Sequence, residues 1–176
     1  HYTDPAVAQT MWEFLELSNG GQSPTGPVLE PGCGVGTFML GAPSTVNMVG
    51  VELDPVTAEI AAHLNPGAHI RNEGFERTRF NSDEPSFTAT MGNVPFGAFT
   101  LHDPADNPLG LTIHNHFLAK SIKHTAPGGY AVVLTSSYTM DAKRSTARRY
   151  LAEYADLVGA VRLPSGAMSR VAGTDV

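Results

Sequence analysis

Between Val28 and Gly36 the chain reads Val-Leu-Glu-Pro-Gly-Cys-Gly-Val-Gly, a short apolar run closed by Pro31 and followed by three alternating glycines. The run is a strand, because proline ends it and no polar residue precedes Glu30. The glycines let the backbone turn tightly and pass close to a ligand, since no Cβ stands in the way. A strand that runs into such a loop and then into a helix commits the chain to an α/β architecture, and the rest of the sequence follows it.

Asp4-Pro5 is an N-cap with proline in the first turn, and Val7, Met11, Phe14 and Leu15 recur at helical spacing, which predicts a helix to about Leu17. Ser18–Pro27 is a Gly/Pro/Ser loop, Val28–Glu30 the short buried strand, and Gly32–Gly36 the turn into a helix of about one and a half turns. Val46–Leu53 is rich in β-formers, Asp54-Pro55 caps a helix through about Leu64, and Ala68–Asn72 is strand-like. This β-α-β-α-β alternation implies parallel pairing. Phe87–Met91 is the next strand, His114–Thr125 a helix stopped by Gly128-Gly129, and Tyr130–Thr135 a buried strand. Ala142–Tyr154 reads as one helix, basic then apolar, and Leu157–Leu163 as a last strand. Phe96–Leu111 is the one long irregular stretch, and a loop of that length in a compact domain is usually functional.

With 176 residues, 41% of them apolar, residues 1–176 make a single domain. The longest apolar run, Tyr130–Leu134, falls far short of the roughly twenty residues of a membrane span, so no membrane is expected as a partner. The first residues show neither an initiator Met nor a leader, and the chain reads as a fragment of a larger protein. The single Cys33, set between glycines, suits a reducing compartment, with the cytoplasm as default. A net charge of −6 is a poor footprint for a free-standing nucleic-acid binder. The charge is uneven, though: residues 1–88 carry three basic and eleven acidic side chains, residues 89–176 eight and six, so a polyanion belongs on the second half.

The glycine spacing is G-x-G-x-G with Glu30 two positions before the first glycine, whereas a pyrophosphate loop reads G-x-G-x-x-G. A carboxylate there repels phosphate and suits a ligand with an ammonium group. Glu52 ends the second strand, about twenty positions on, where an acid accepts bonds from ribose hydroxyls. This pattern resembles the class I S-adenosylmethionine-dependent methyltransferases, whose first motif is E/D-x-G-x-G-x-G and whose second is the acid closing strand two. The resemblance implies a Rossmann-like, mostly parallel sheet of the seven-stranded type with helices on both faces, lacking its last strand within this fragment. It further implies that Glu30, Pro31, Gly32, Cys33, Gly34 and Gly36 hold the methionine part of S-adenosyl-L-methionine. Glu52 and Leu53 would hold the ribose, and Glu73 (or Asn72) with Phe75 the adenine.

Gly92-Asn93-Val94-Pro95-Phe96-Gly97 follows the fourth strand and resembles the [D/N/S]-P-P-[Y/F/W] motif of amino-methyltransferases. By that resemblance Asn93, Val94, Pro95 and Phe96 form the catalytic tetrapeptide. The Asn93 side-chain oxygen and the Val94 carbonyl would accept the N–H groups of an exocyclic amine and aim its lone pair, and Phe96 would stack on an extruded base. Val94 stands where the family usually has proline. Tyr2-Thr3-Asp4-Pro5-Ala6-Val7 resembles the T-P-x-x-(V/I) element of adenine-specific (N6) DNA methyltransferases, in which Thr3, with Tyr2, would lie by the cofactor. The order of the three motifs is that of the adenine enzymes, and the resemblance extends to Ala126-Pro127-Gly128-Gly129 and Arg162-Leu163-Pro164-Ser165-Gly166. It is nearest to methylase domains fused to helicase-like proteins and used in restriction-modification or on mobile elements. DNA with a flipped adenine is the implied partner, with a downstream target-recognition or helicase region in the same polypeptide. A protein glutamine or RNA amine methyltransferase shares the tetrapeptide, and a methylase-like module that binds without turnover stays open on the strength of Val94 and the acidic charge.

His102, His114 and His116 lie near the long loop without metal-ligand spacing, and no metal is expected. Lys143, Arg144, Arg148 and Arg149 form a basic cluster with two readings, a solvated face or a DNA-backbone contact. Met39, Met48 and Met91 sit among apolar neighbours and read as core.

Overall fold

A computed structural model describes residues 3–80 and 87–164. Two aspartates start the two longest amino-terminal helices as the sequence leads one to expect. Asp4 accepts the Ala6 N–H at 2.8 Å to cap α1 (Pro5–Ser18), and Asp54 accepts the Thr57 N–H at 2.8 Å to cap α3 (Pro55–Leu64). Between them lie β1 (Gly26–Pro31), the one-turn α2 (Thr37–Leu40) and β2 (Val46–Glu52). Then come β3 (His69–Asn72), β4 (Phe87–Asn93), α4 (Ile113–Lys123), β5 (Thr125–Leu134), α5 (Tyr138–Asp141) and α6 (Thr146–Ala152).

The five strands form one sheet in the order β3-β2-β1-β4-β5, and every pairing is parallel. Alternation along each strand feeds two cores. Val28, Met48, Ala89 and Met91 face α1, α2 and α3, where they meet Trp12, Leu15, Phe38, Met39 and Ala61. Leu29, Val51 and Val133 face the other way, toward Ile113 and Phe117 of α4 and toward Phe75. Each of the largest buried side chains contributes about 1.5–3 kcal/mol by leaving water. Trp12 adds a directed tie, its indole N–H donating to the Phe38 carbonyl at 2.9 Å and pinning α1 to α2. A third, smaller cluster of Leu111, Ala119 and Tyr150 fastens α6 onto α4.

The order of strands reverses between β1 and β4, and the carboxyl ends of these neighbours are the crevice where ligands bind in open α/β sheets.

Several sequence expectations are corrected. Leu157–Leu163 is not a strand: among the described residues it pairs with no strand, and Leu157, Val158 and Val161 are exposed. Ala142–Tyr154 is not one helix, because Ala142–Ser145 is non-helical and only Thr146–Ala152 continues as α6. Gly128-Gly129 do not precede the fifth strand but sit inside it, where they bring a register shift between Phe87 and Ala89 of β4. The helix after the glycine loop has four residues rather than about one and a half turns. Residues 165–176 and Tyr2, on which some expectations rested, lie outside the described residues.

Candidate functional site

The glycine loop is built at the end of β1. Cys33 N–H donates to Val51 O at 3.0 Å, which carries the β1–β2 ladder one step past the strand, and Gly36 N–H closes a turn onto Cys33 O at 2.9 Å. Two glycines are required by geometry. Gly34 has φ +56° and presents its N–H to Glu52 Oε2 at 2.9 Å; Gly36 has φ +83° and a Cβ there would stand 2.4 Å from Asn65 Nδ2. The other Glu52 oxygen accepts the Asp54 N–H at 2.9 Å, so this carboxylate shapes the loop with both oxygens and keeps one lone pair on each for a ligand.

Glu30 is the unusual group. It is 2% exposed, and its Oε2 has no hydrogen-bond partner among the described residues. Burial pushes its carboxyl well above the ordinary range, the Phe38 backbone N–H opposes that rise, and the Glu52 charge adds to it. A buried carboxyl with one oxygen unpaired is costly, and a cation or donor brought to that oxygen would relieve it. Cys33, buried beside it, is also pushed upward by burial and by both carboxylates, which leaves it a neutral thiol rather than a nucleophile.

Asn93 ends β4, next to β1. Gly92 brings the two strands close: a Cβ there would lie 3.6 Å from Glu30 Cγ. The Asn93 amide nitrogen donates to Thr3 Oγ1 at 3.2 Å, and Thr3 is itself buried. That bond leaves Asn93 Oδ1 buried with no hydrogen-bond partner among the described residues, a second orphan acceptor. Thr3, Glu30, Gly32–Val35, Thr37, Phe38 and Asn93 line one hollow. Val94 N–H donates to Leu134 O at 3.0 Å and its side chain is buried, so this residue is fixed by the sheet even without proline. Pro95 and Phe96 are half-buried, Phe96 at the margin of the α4-side core.

The remaining sequence candidates lie further out. Leu53 is 72% exposed beside Glu52. Glu73 follows β3, its N–H donating to Glu52 O at 3.0 Å and its carboxylate paired with Arg71 at 2.6 Å. Asn72 donates to the Glu52 and Leu53 carbonyls and so ties the ends of β2 and β3. Phe75 is a core residue, 4.7 Å from the Phe117 ring.

Sequence reasoning missed a buried ion cluster behind the long loop. Lys120 is fully buried on α4 and donates to Asp103 Oδ2 at 2.8 Å and to Thr78 O at 2.9 Å, with Asp106 Oδ2 3.3 Å away and the Phe75 ring 5.2 Å away. His116, one turn earlier, meets the same Asp103 oxygen at 3.3 Å. Burial works to raise the Asp103 and Asp106 carboxyls, but the cations around them win and both are depressed. Burial lowers His114 and His116, so both imidazoles are neutral near pH 7. Asn107 closes the loop by accepting the Leu111 N–H at 2.7 Å and donating to the Leu111 and Leu101 carbonyls. The sequence signal was the pair His116 and Lys120, four apart on an otherwise apolar helix face, opposite Asp103 and Asp106 in the loop. Among the described residues no three His, Cys, Asp or Glu are grouped to hold a metal, and no helix is long and apolar enough to cross a membrane.

No protein-family model matches the chain. It is 28% identical over 169 residues to the defense against restriction protein B of Escherichia phage P1, spanning 94% of this chain but only 7% of that protein. Among solved structures, the methyltransferase subunit of a type I restriction-modification system from Streptococcus thermophilus superposes with TM-score 0.69 at 21% identity, over 86% of this chain and 38% of that one. An amino pentose methyltransferase from Micromonospora echinaspora, solved with SAM bound, gives 0.50 at 24% identity, over 75% and 50%. The plantazolicin methyltransferase BpumL in complex with SAH gives 0.53 at 16% identity, over 84% and 55%. The fold is the Rossmann-like class I methyltransferase fold.

Proposed function

We propose that this chain is an S-adenosylmethionine-dependent methyltransferase domain acting on the exocyclic amine of adenine in DNA. The observation that carries the reading is the pair of orphan acceptors, Glu30 Oε2 and Asn93 Oδ1, on neighbouring strands around one hollow. The residues fit the cofactor. Glu30 and the Gly32–Gly36 loop offer a buried carboxyl and bare backbone to its methionine end, Glu52 offers two free lone pairs to the ribose, and the phosphate-repelling acids suit a ligand without phosphate. When bound, the cofactor supplies an electrophilic sulfonium methyl.

The chain's own residues do the rest by positioning. Thr3 takes the Asn93 amide nitrogen, which fixes the side chain with Oδ1 free to accept an amine N–H. The Val94–Leu134 bond holds the following carbonyl in place for the second N–H. An aromatic amine held by these two acceptors would become tetrahedral with its lone pair aimed at the methyl the cofactor supplies, and the proton the nitrogen sheds would pass to water. Phe96, half-buried at the margin of the α4-side core three residues after Asn93, would supply the stacking face. The adenine-DNA choice is supported by the Thr3–Asn93 bond, which joins the amino-terminal element to the tetrapeptide, and by the restriction context of the phage relative and the Streptococcus subunit.

Incubating the protein with labelled S-adenosylmethionine and unmethylated DNA, then digesting to nucleosides, tests this directly. N6-methyladenine is expected. Label on cytosine, on RNA alone or on protein glutamine would refute the substrate, and cofactor binding without transfer would leave a non-catalytic module.

A further inference from the structure

The segment after β5 carries charge that methyl transfer does not use. Asn93 stands in register with Leu134, and Val94 N–H bonds the Leu134 carbonyl, so the chain leaves β5 beside the Asn93–Phe96 tetrapeptide. From there it folds as α5, a short link and α6. The arrangement is anchored: Thr135 and Thr139 hydroxyls meet at 3.0 Å, Arg148 donates to the Thr139 carbonyl at 3.4 Å, and Tyr150 is buried against Leu111 and Ala119. Lys143, Arg144 and Arg149 remain exposed on this frame. None of the three pairs with a carboxylate among the described residues.

The one acid of the stretch is already neutralised. Asp141 accepts both of its bonds from Arg162, at 2.8 and 2.9 Å. Four cations therefore face solvent or the loop within Lys143–Arg149, in a chain whose first 88 residues carry eleven acids against three bases. Tyr138, 69% exposed, adds a stacking surface at the start of the segment. Like charges crowded in seven residues repel one another, and here no folded carboxylate relieves them. Closely spaced phosphates would.

We propose that Tyr138–Arg149 is a docking ridge for the sugar-phosphate backbone of DNA, gripping the strand next to the base presented to Asn93. The inference rests on the reading of Asn93 as the substrate site, because the segment leaves β5 at Leu134, in register with Asn93, and a strand whose base enters there would run on along it. It explains how a chain of net charge −6 holds DNA: the contact is local, made by a cluster of cations rather than by the overall charge.

The test compares wild type with Lys143→Ala/Arg144→Ala/Arg149→Ala, all exposed positions, for binding to a short unmethylated duplex over a series of salt concentrations. Unchanged circular dichroism and thermal midpoint establish that the variant is folded. The variant should bind DNA about 10–100-fold more weakly at low salt, with the slope of log affinity against log salt shallower by about 2–3, since each lost phosphate contact removes about 0.9. Cofactor affinity should not change. Equal affinity and slope in the two proteins, or wild-type binding to polyglutamate as tight as to DNA, would overturn the ridge. The methyl-transfer reading fails separately: a ridge variant that loses DNA affinity, in a protein whose wild type transfers no methyl, keeps the ridge and discards the reading. A wild type that methylates adenine while the ridge variant binds DNA normally does the reverse.

Discussion

Of the buried acceptors left unpaired among the described residues, Glu30 Oε2 and Asn93 Oδ1 belong to side chains that line the candidate site, and Glu30 is the more costly of the two. Its carboxyl is raised by burial in the folded state and ordinary in the unfolded one. Between those two values the folded chain binds more protons, so Glu30 takes stability away as pH rises above the ordinary carboxylate value. Glu30→Gln should therefore raise the thermal midpoint at neutral pH, by roughly 2–4 °C for each kcal/mol relieved. The same change should weaken S-adenosylmethionine binding by about 1.5–3 kcal/mol, because the amide cannot answer a cation. Calorimetric titration and a melting curve read both effects, and a variant that loses stability or keeps full affinity would show Glu30 to be merely structural. Lys120 makes the opposite case. Lys120→Met takes from Asp103 its closest cation, leaving it only His116 and the more distant Arg79, and should cost about 3–5 kcal/mol in denaturant unfolding, while adding Asp103→Leu should recover much of the loss.

At the scale of elements, the Asp103–Lys120–Asp106 cluster is what makes the long loop a wall rather than a tether. Both carboxyls are depressed in the folded state, so their stabilisation is present above the ordinary carboxylate pKa and drains away as pH falls through the depressed native values. Acid unfolding should accordingly be milder in the Lys120→Met/Asp103→Leu protein than in wild type, as followed by fluorescence of Trp12. Only the polar pair His116 and Lys120 on an apolar helix face hinted at this cluster in the sequence; its partners could not be paired from sequence, because Asp103, Lys120 and the Thr78 carbonyl come from three distant segments. What was legible is local. Asp4 and Asp54 announce their helices through bonds two and three residues away, and the glycine ladder announces its turn through φ alone. Leu157–Leu163 has the composition of a strand, yet a strand exists only where another strand accepts its bonds, and among the described residues none does. The long helix expected over Ala142–Tyr154 fails at Ala142–Ser145, where the turn lets Tyr150 reach the Leu111 and Ala119 surface. The site was half legible: Glu30 and Asn93 each end a strand, and parallel pairing of those strands brings them together.

The molecule as a whole is a sheet with one well-covered side and one open margin. β5 is an edge among the described residues, its Tyr130–Leu134 run is only half-buried on both faces, and Leu157, Val158 and Val161 lie exposed nearby in sequence. Such an edge invites pairing, and this chain should self-associate as its concentration rises. Sedimentation velocity should show that association falling in a Val158→Lys/Val161→Lys variant, whereas a wild type that stays monomeric at high concentration would refute the expectation. At the centre of the sheet, where β1 and β4 end, the glycine loop, Thr3 and Asn93 line one hollow, and the proposed chemistry belongs there. The most direct measurement is single-turnover transfer of labelled methyl from S-adenosylmethionine to adenine in DNA, by wild type and by Asn93→Ala, with cofactor affinity determined for both. Wild type should transfer, and Asn93→Ala should be slower by about 10²–10³-fold, the cost of losing one preorganised bond to the reacting group, with cofactor affinity retained. Transfer by Asn93→Ala at the wild-type rate, or a wild type that does not bind the cofactor, would contradict the account.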